Sequence, residues 1–318
     1  MIATRAEGCH GEAVTEGLFY PPTNNKQRYR QRNMPKTYSQ LYIDARRELK
    51  AAGVEAHSLE ARLLICHAAG KTQAELLRDM PLYSSNEVEK AVEGFMARRL
   101  AGEPVAYITG KWEFYGLPLE ITPDVLIPRD DTAVLVDKAL ELLAPRSPAA
   151  RVLDLCCGSG CIGLAMAQEL PEARVVMLDL SRRALDITRR NIRLNGLSAR
   201  AVCMEADALI PPADNLGSFD AILSNPPYIA TAEIAALDSS VRDYEPHSAL
   251  DGGEDGLVFY RFIASEWKRA LRTGGWLLFE VGETQAADVM KIMRLAGFRN
   301  VDSVKDSAGH DRVVFGKA

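Results

Sequence analysis

The sequence predicts an α/β fold in which a mostly parallel sheet follows an N-terminal bundle of helices. From about residue 126 onward, short apolar runs of strand length alternate with helical patterns, as in parallel sheets with right-handed crossovers. Residues 37–101 instead keep helical spacing throughout. The first buried strand of the later region leads into a glycine-rich turn that opens a helix. A chain of 318 residues is long enough for two domains.

Composition and charge narrow the class of protein. Apolar residues make up 47% and charged residues 25% of the chain, which is ordinary for a globular protein. The 38 basic and 43 acidic residues give a net charge of −5, which argues against binding nucleic-acid duplexes through a basic surface. No apolar run approaches the roughly 20 residues of a membrane span, and no secretory signal opens the chain. We therefore expect a cytoplasmic protein.

The cysteines predict reduced thiols and no metal site. No Cys-x-x-Cys pair occurs among the six, which are Cys9, Cys66, Cys156, Cys157, Cys161 and Cys203. Three of them cluster near residue 160, but no matching cysteine or histidine pair lies elsewhere. Free thiols in a reducing compartment are the simplest interpretation.

The N-terminal third divides into an extension and a helical domain. Residues 1–36 are predicted to be a disordered extension, because their polar and basic stretch has no apolar period. A basic arm that touches RNA or a partner is the alternative. Residues 37–101 form the predicted helical domain, in which Ser58 is the expected N-cap of a helix over residues 59–69. Two capping boxes are expected, in residues 72–75 and 84–87.

A linker and a sheet domain follow. Residues 102–125 alternate aromatic and apolar side chains with glycines and a proline, which predicts a β-hairpin linker. The sheet domain takes residues 126–318, and its first helix is predicted over 131–144, before a break at residues 145–148. Its strands are predicted near residues 151–155, 174–179, 200–204, 219–224, 276–281, 299–304 and 312–316. The last two are expected to form an antiparallel edge.

The glycine-rich turn is the first candidate site. It consists of five small residues after a buried strand, namely Cys156, Cys157, Gly158, Ser159 and Gly160. Glycines let the backbone approach a ligand closely, and the following helix offers unpaired N–H groups. The next strand ends at Asp179, whose carboxylate can accept hydrogen bonds from ribose hydroxyls. Asp207 and Ala208, after the third strand, are expected to lie beside an adenine.

Two cofactors fit this turn. Residues 158–163 match the Gly-x-Gly-x-x-Gly pattern of dinucleotide-binding proteins, with an acid about 20 residues further on. Asp154 argues against a dinucleotide, because its carboxylate would sit near the pyrophosphate. The same carboxylate could attract the ammonium group of S-adenosylmethionine, which is the predicted cofactor.

Asn225-Pro226-Pro227-Tyr228 is the second candidate site, directly after the predicted strand 219–224. Two consecutive prolines remove two backbone donors and fix two φ angles, so neither a helix nor a central strand continues through them. The stiff loop presents an amide side chain, a carbonyl and an aromatic face, which suits holding a planar NH2 group. A plain strand-ending turn is the alternative for the motif alone. Its position after the glycine-rich turn favours a site at which Asn225 also meets the cofactor.

These motifs resemble the class I S-adenosylmethionine-dependent methyltransferases, and more narrowly the bacterial release factor glutamine methyltransferases. The Asn-Pro-Pro-Tyr motif alone is shared with adenine and cytosine amino-methyltransferases, and the segment before the catalytic domain narrows the choice. The resemblance covers roughly residues 37–318 and starts just after Met34, where we expect translation to begin. It is carried by residues 102–110, 113–116, 126–129, 154–160, 225–228, 245–246, 249–253 and 311–314.

The resemblance implies a Rossmann-like, seven-stranded, mostly parallel sheet and methyl transfer from S-adenosylmethionine. The implied substrate is the N5 amide of the glutamine in the Gly-Gly-Gln loop of class 1 peptide chain release factors. Asn225, Pro226, Pro227 and Tyr228 are the implied catalytic residues, and the helical domain helps to hold the release factor. We expect a monomer that binds neither a membrane nor, stably, nucleic acid.

Some residues depart from the pattern of the family. Asp130 stands where the family has a proline, and Cys156 and Cys157 stand where it has glycine and threonine. The thiols are small enough for the turn, but a residue other than glycine at Cys156 restricts φ.

Three other functions remain open at this stage. An amino-methyltransferase that acts on adenine in DNA or RNA would share the Asn225 loop, although the acidic net charge and the helical front domain argue against it. A nicotinamide-dependent oxidoreductase would rest on the glycine pattern, without a Tyr-x-x-x-Lys pair to support it. A binding protein without activity is the third. The isolated acids Glu245, Asp251 and Glu280 are expected to serve the structure.

Overall fold

The structure is a computed structural model that describes residues 35–143 and 149–318. Three expectations concern residues outside these ranges. They are the disorder of the N-terminal extension, the start of translation at Met34 and the break at residues 145–148. Of the extension, the structure describes residues 35 and 36.

The first part of the described chain is a group of four helices that pack on one another. They are α1 (Tyr38–Ala51), α2 (His57–Ala69), α3 (Gln73–Asp79) and α4 (Asn86–Leu100). Apolar residues at helical spacing form their shared core, in which Leu49, Leu64, Ile65 and Leu76 are fully buried.

The capping predictions for these helices are partly right. Thr72 and Glu75 form the expected capping box at the start of α3. The N-cap at Ser58 is wrong, because α2 begins at His57 and has no side-chain cap. The box at residues 84–87 is also wrong. Ser85 is the N-cap of α4 and accepts from the Val88 N–H, while the Ser84 hydroxyl donates instead to the Lys36 carbonyl at 2.8 Å.

The segment expected to be only a hairpin also contains a short helix. Helix α5 (Val105–Thr109) precedes an antiparallel pair, β1 (Lys111–Phe114) and β2 (Leu117–Glu120). Residues 105–108 are all buried, and Gly110 ends the helix in the left-handed conformation. A run of four buried residues fits a helix turn as well as a strand, which is why the alternation of apolar residues was ambiguous here.

A sheet of seven strands follows. The strands are β3 (Arg151–Leu155), β4 (Arg174–Asp179), β5 (Ala201–Glu205), β6 (Phe219–Ser224), β7 (Leu271–Glu280), β8 (Arg299–Lys305) and β9 (Asp311–Lys317). Their order in the sheet is β5-β4-β3-β6-β7-β9-β8. All neighbours are parallel except β9, which runs antiparallel to both β7 and β8. This confirms the predicted fold class.

Strand β7 starts earlier than predicted. It begins at Leu271 rather than Trp276, and its first part holds Arg272, Thr273, Gly274 and Gly275. This stretch has no apolar alternation, and its pairing with β6 is irregular. The pairing with β6, and not the local sequence, therefore extends the strand.

Helices cover both faces of the sheet and form two apolar layers. One layer involves α6 (Ala133–Leu143), α7 (Cys161–Glu169) and α8 (Arg182–Leu194). The other involves α10 (Val258–Glu266) and α11 (Ala286–Leu295), while α9 (Ser239–Arg242) lies in the connection that follows β6. Because β3, β4, β5 and β6 are parallel, their carboxyl ends meet at one edge of the sheet, where ligands bind in such folds.

Candidate active site

The turn after β3 depends on left-handed backbone conformations. The φ angles are +63° at Cys156, +53° at Gly158 and +83° at Gly160. Glycine adopts such angles freely, whereas a residue with a Cβ is strained there. Two of the three positions carry glycine, and Cys156 does not. The departure at Cys156 therefore falls on a position where the backbone favours glycine.

Gly163, the last glycine of the pattern, allows helix α7 to approach the sheet. A Cβ at this position would lie 2.6 Å from Met177 Cγ and 3.0 Å from Asp154 Oδ2. The Gly163 N–H donates to Asp154 Oδ2 at 2.8 Å. No larger side chain fits between the strand and the first turn of the helix.

Asp154 supports this turn from below and does not line the cavity at the carboxyl ends of the strands. Its side chain is fully buried, and Oδ1 has no hydrogen-bond partner among residues 35–143 and 149–318. Burial raises the pKa of Asp154 to about 7, although the Gly163 N–H lowers it. The expectation that Asp154 attracts a ligand ammonium group is therefore wrong, since the carboxyl group faces helix α7.

Asp179 closes the same turn from the neighbouring strand. Its Oδ2 accepts from the Gly158 N–H and its Oδ1 from the Ser181 N–H, both at 2.8 Å. Burial raises the pKa of Asp179, and these N–H groups counteract that effect. Each carboxylate oxygen keeps a second lone pair, so Asp179 can also accept from a ligand hydroxyl.

Asp207 and Ala208 lie after β5 at the same edge. Asp207 Oδ1 accepts from the Leu209 N–H at 2.8 Å, which forms a tight turn. The Ala208 carbonyl accepts from the Trp267 indole N–H at 2.9 Å. This hydrogen bond to a buried side chain fixes the backbone after β5.

The Asn225–Tyr228 loop is held rigidly by the chain that follows it. The Tyr228 carbonyl accepts from Gln285 Nε2 at 2.8 Å. A Cβ on Gly252 would lie 2.8 Å from the Pro227 carbonyl oxygen, and one on Gly256 would overlap the Tyr228 carbonyl. The close contact of two glycines with this loop leaves it little room to move.

Residues of both candidate sites line one cavity of about 260 Å³. Its lining includes nine predicted site residues, namely Cys156, Cys157, Gly158, Ser159, Asp179, Asp207, Ala208, Asn225 and Pro227. Gly160, Pro226 and Tyr228 lie outside the lining. Gly160 packs below the turn, where a Cβ would lie 2.8 Å from Thr188 Cγ2. Burial raises the pKa of Tyr228 to about 12, so its phenol is neutral near pH 7.

The sequence reasoning missed several residues of the cavity wall. Leu180 and Ser181 directly follow Asp179, so their position after a strand end could have identified them. Phe259 comes from helix α10, and no local signal in the sequence points to it. Much of the remaining wall comes from two segments, residues 124–132 and 245–249, in which the resemblance included Leu126, Pro128, Pro246 and Ala249 without assigning a role. The rest of the lining consists of Asp124, Val125, Thr132 and Ser248 from the same segments and of Cys161, Ile162, Ala184, Ala206 and Leu209.

An ion pair joins these two segments. Arg129 Nη2 lies 2.5 Å from Glu245 Oε1, and the Glu245 side chain is almost completely buried. Burial raises the pKa of Glu245, and the guanidinium lowers it. Asp130, the other departure from the family pattern, is exposed and begins the short 3-10 turn Asp130–Thr132. The substitution thus leaves the Arg129 ion pair in place.

Two features are absent from the part of the chain that the structure describes. Its helices are all too short or too polar to span a bilayer. Its histidines, cysteines and acids form no group of three that could hold a metal ion.

Comparison with known proteins agrees with this architecture. The model of the Methyltransferase small domain matches residues 132–242, and that of the PrmC N-terminal domain matches residues 40–110. The solved hMettl16 catalytic domain, in complex with a MAT2A 3'UTR hairpin, aligns with a TM-score of 0.53 at 17% identity. That alignment covers 70% of this chain and 81% of the other, and it shows the fold alone. Fold and site together define a class I methyltransferase.

Curated relatives identify the family. The release factor glutamine methyltransferase of Geobacter sulfurreducens is 43% identical over 270 residues, which is 85% of this chain and 92% of the relative. That of Caulobacter vibrioides is 39% identical over 285 residues, which is 89% of this chain and 97% of the relative. The chain belongs to the release factor glutamine methyltransferase family. The family resemblance inferred from the motifs is thereby confirmed.

Proposed function

We propose that this protein transfers a methyl group from S-adenosylmethionine to the N5 amide of the glutamine in the Gly-Gly-Gln loop of class 1 peptide chain release factors. The observation that carries the proposal is the shared cavity. It brings the amide side chain of Asn225 to the same space as the turn of residues 156–160 and Asp179. A cofactor site and a carboxamide site must adjoin for this reaction.

The residues of the turn fit S-adenosylmethionine better than a dinucleotide. A pyrophosphate needs free N–H groups at the start of the helix. Here the Gly163 N–H donates to buried Asp154 and the Gly158 N–H donates to Asp179, so two N–H groups of the pattern are already satisfied and the Asp179 carboxyl group lines the space that a phosphate would enter. Asp179 would hold the ribose hydroxyls, and Asp207 and Ala208 would lie along the adenine. Cys156, Cys157, Ser159 and Asn225 complete the proposed cofactor site.

The proposed substrate end is the Asn225–Tyr228 loop. The Asn225 side-chain oxygen and the Pro226 carbonyl accept the two N–H bonds of the glutamine amide, which leaves the nitrogen lone pair directed at the methyl group. The ring of Tyr228 packs on the amide plane, and Pro227 keeps the loop stiff. Alignment of this kind supplies several kcal/mol through effective molarity.

The protein contributes position rather than a strong base. When bound, S-adenosylmethionine would supply an electrophilic methyl group on a cationic sulfur, with the neutral thioether as the leaving group for attack by the amide nitrogen. The methylated nitrogen would carry an extra proton, which passes to water as the product leaves the cavity, because a protonated amide is a strong acid. The cavity walls, including Phe259 and Leu180, keep water away from the reacting atoms.

We also propose how the chain is divided. Residues 37–101 form the helical domain that holds the release factor, residues 102–125 link the domains, and residues 126–318 form the methyltransferase domain. Release factors act on ribosomes, so the proposed location is the cytoplasm. The proposed enzyme works as a monomer.

Labelled S-adenosylmethionine and a class 1 release factor test the proposal directly. We expect mass spectrometry to find the label on the glutamine of the Gly-Gly-Gln loop, and no label on an adenine-containing duplex incubated in parallel. Label on the duplex, or none on the release factor, would reject the proposal.

The role of Asn225 is tested by Asn225→Ala. We expect turnover to fall at least about 100-fold, because the amide acceptor is lost, while calorimetry shows nearly unchanged cofactor affinity. Asn215→Ala, at an exposed position outside the cavity lining, is the matched control and should keep its rate. A near-normal rate for Asn225→Ala would refute the assignment.

A further inference from the structure

Glu280 is a buried acid that lies beside the proposed substrate site. It has no role in the methyl transfer proposed above. It is the last residue of β7, and only 2% of it is exposed. Parallel pairing sets Ser224 of β6 opposite Phe279 of β7, so the next residues, Asn225 and Glu280, lie side by side at the carboxyl ends of the two strands. Glu280 Oε2 has no hydrogen-bond partner among residues 35–143 and 149–318.

The surroundings of Glu280 bring the pKa of its carboxyl group close to neutral pH. Burial raises the pKa of Glu280 to about 7. The side chains of Thr132 and Asn225 and the positive charge of Arg312 lower it, while the negative charge of Asp131 raises it. Other titratable groups face it from three more elements, namely Tyr228 in the loop after β6, Tyr260 in α10 and Cys161 in α7.

An asparagine side chain must be oriented before it can accept a hydrogen bond from a substrate. Its oxygen is an acceptor and its NH2 group is a donor, and the two ends are nearly equal in size. Asn225 can accept from the glutamine amide only if its NH2 group points the other way. A neighbouring acceptor without a hydrogen of its own enforces that orientation, and an ionised carboxylate is such a group.

We propose that ionised Glu280 is a positioning residue, which accepts a hydrogen bond from the Asn225 NH2 group and thereby turns the Asn225 oxygen toward the substrate amide. This inference rests on the proposed function. The unpartnered Glu280 Oε2 gains its partner in this arrangement. The Asn225 side chain is held from one side by Glu280, and its backbone is held by the rigid diproline loop.

The inference predicts a pH dependence. When Glu280 is protonated, one of its oxygens becomes a donor and favours the opposite orientation of the Asn225 amide. The NH2 group of Asn225 then meets the NH2 group of the substrate, and no hydrogen bond forms. We expect kcat to fall about tenfold from pH 8.5 to pH 6, following one proton on a group whose pKa is about 7.

Glu280→Gln separates positioning from structure. Glutamine fills the same space and can still accept from Asn225, but it also donates and does not titrate. We expect kcat at pH 8.5 to fall about 3- to 10-fold and to change less than about 2-fold between pH 6 and 8.5. Cofactor affinity and the melting temperature, measured on the same samples, show whether the variant is folded.

Glu245→Gln is the matched control. Glu245 is also buried, also has a raised pKa and also has one oxygen without a partner in the described ranges, but it pairs with Arg129 and not with Asn225. Its variant should keep the wild-type pH slope. If Glu280→Gln keeps that slope as well, or if wild-type kcat does not change with pH, the inference is overturned alone. If the wild-type protein methylates no release factor at any pH, the proposed function fails, and the inference fails with it.

Discussion

Cys156 offers a direct test of how much strain the glycine-rich turn contains. Its φ angle of +63° lies in the left-handed region, which costs a residue with a Cβ about 1–2 kcal/mol relative to glycine. Comparing Cys156→Gly with Cys156→Ala isolates the backbone, because both variants lose the thiol. Alanine gains about 0.4–1 kcal/mol through the less flexible unfolded chain. We therefore expect the glycine variant to be the more stable by roughly 0.5–1 kcal/mol.

The neighbouring residue supplies the control. Cys157 is also a thiol of the turn and is buried, but its φ is not positive. Here the alanine variant should be the more stable by about 0.4–1 kcal/mol. The unfolded-chain contribution cancels when the two comparisons are subtracted, so their difference of about 1–2 kcal/mol measures the left-handed penalty alone.

Thermal unfolding is the simplest assay. A change of 1 kcal/mol shifts the melting temperature of a domain of 150–250 residues by about 2–4 °C, which is readily measured. The preference for glycine at residue 156 and for alanine at residue 157 should therefore appear as shifts of opposite sign. If alanine is preferred at both positions by the same amount, Cys156 is not strained and the assignment of its conformation is wrong.

Two further predictions concern the acids of the turn. Asp179→Ala should weaken cofactor binding about 10- to 100-fold by calorimetry, because two backbone N–H groups and the ribose lose their acceptor. Asp186→Ala, at an exposed position, should leave the affinity unchanged. Equal affinities for the two variants would exclude a role of Asp179 in cofactor binding. Asp154 has a pKa of about 7 when folded and 3.8 when unfolded, so its contribution is full below pH 4 and is lost as pH rises through 7. In urea unfolding, the free energy of unfolding of Asp154→Asn should rise by about 2–4 kcal/mol relative to that of the wild type between pH 4 and 8. A difference between the two proteins that does not change with pH would contradict this prediction.

The strand positions were predictable because buried parallel strands are short apolar runs between polar turns. Predicted and observed bounds agree within a residue or two for six of the seven strands. The exception is β7, in which polar and glycine residues follow Leu271 and become part of the strand only through pairing with β6. The N-cap residues of the helices were harder to predict. Ser58 and Ser84 have side chains that can cap a helix, but tertiary contacts decide where each helix begins. The Ser84 hydroxyl bonds to Lys36, which lies far away in the sequence.

In the candidate site, too, some residues could be predicted from the local sequence and others could not. The residues at strand ends, such as Asp179 and Asn225, could be found because the edge of a parallel sheet collects them. Phe259 could not, because its place in the cavity depends on how α10 crosses the sheet. The direction of a side chain was also hidden. Asp154 was recognised as important, but only packing shows that it turns toward Gly163 and away from the cavity.

The hidden direction of Asp154 decides what the glycine pattern can bind. The same spacing of glycines serves dinucleotides when the N–H groups at the helix start remain free for phosphate. In this protein Asp154 accepts the Gly163 hydrogen and Asp179 accepts the Gly158 hydrogen, and a carboxyl group accepts them whether or not it is protonated. The turn therefore keeps its close approach to a ligand, but two of its N–H groups are no longer free to bind an anion. What remains is a cavity with acidic side chains, Asp179, Asp207 and Asp124, which favours a ligand with positive charge and hydroxyl groups.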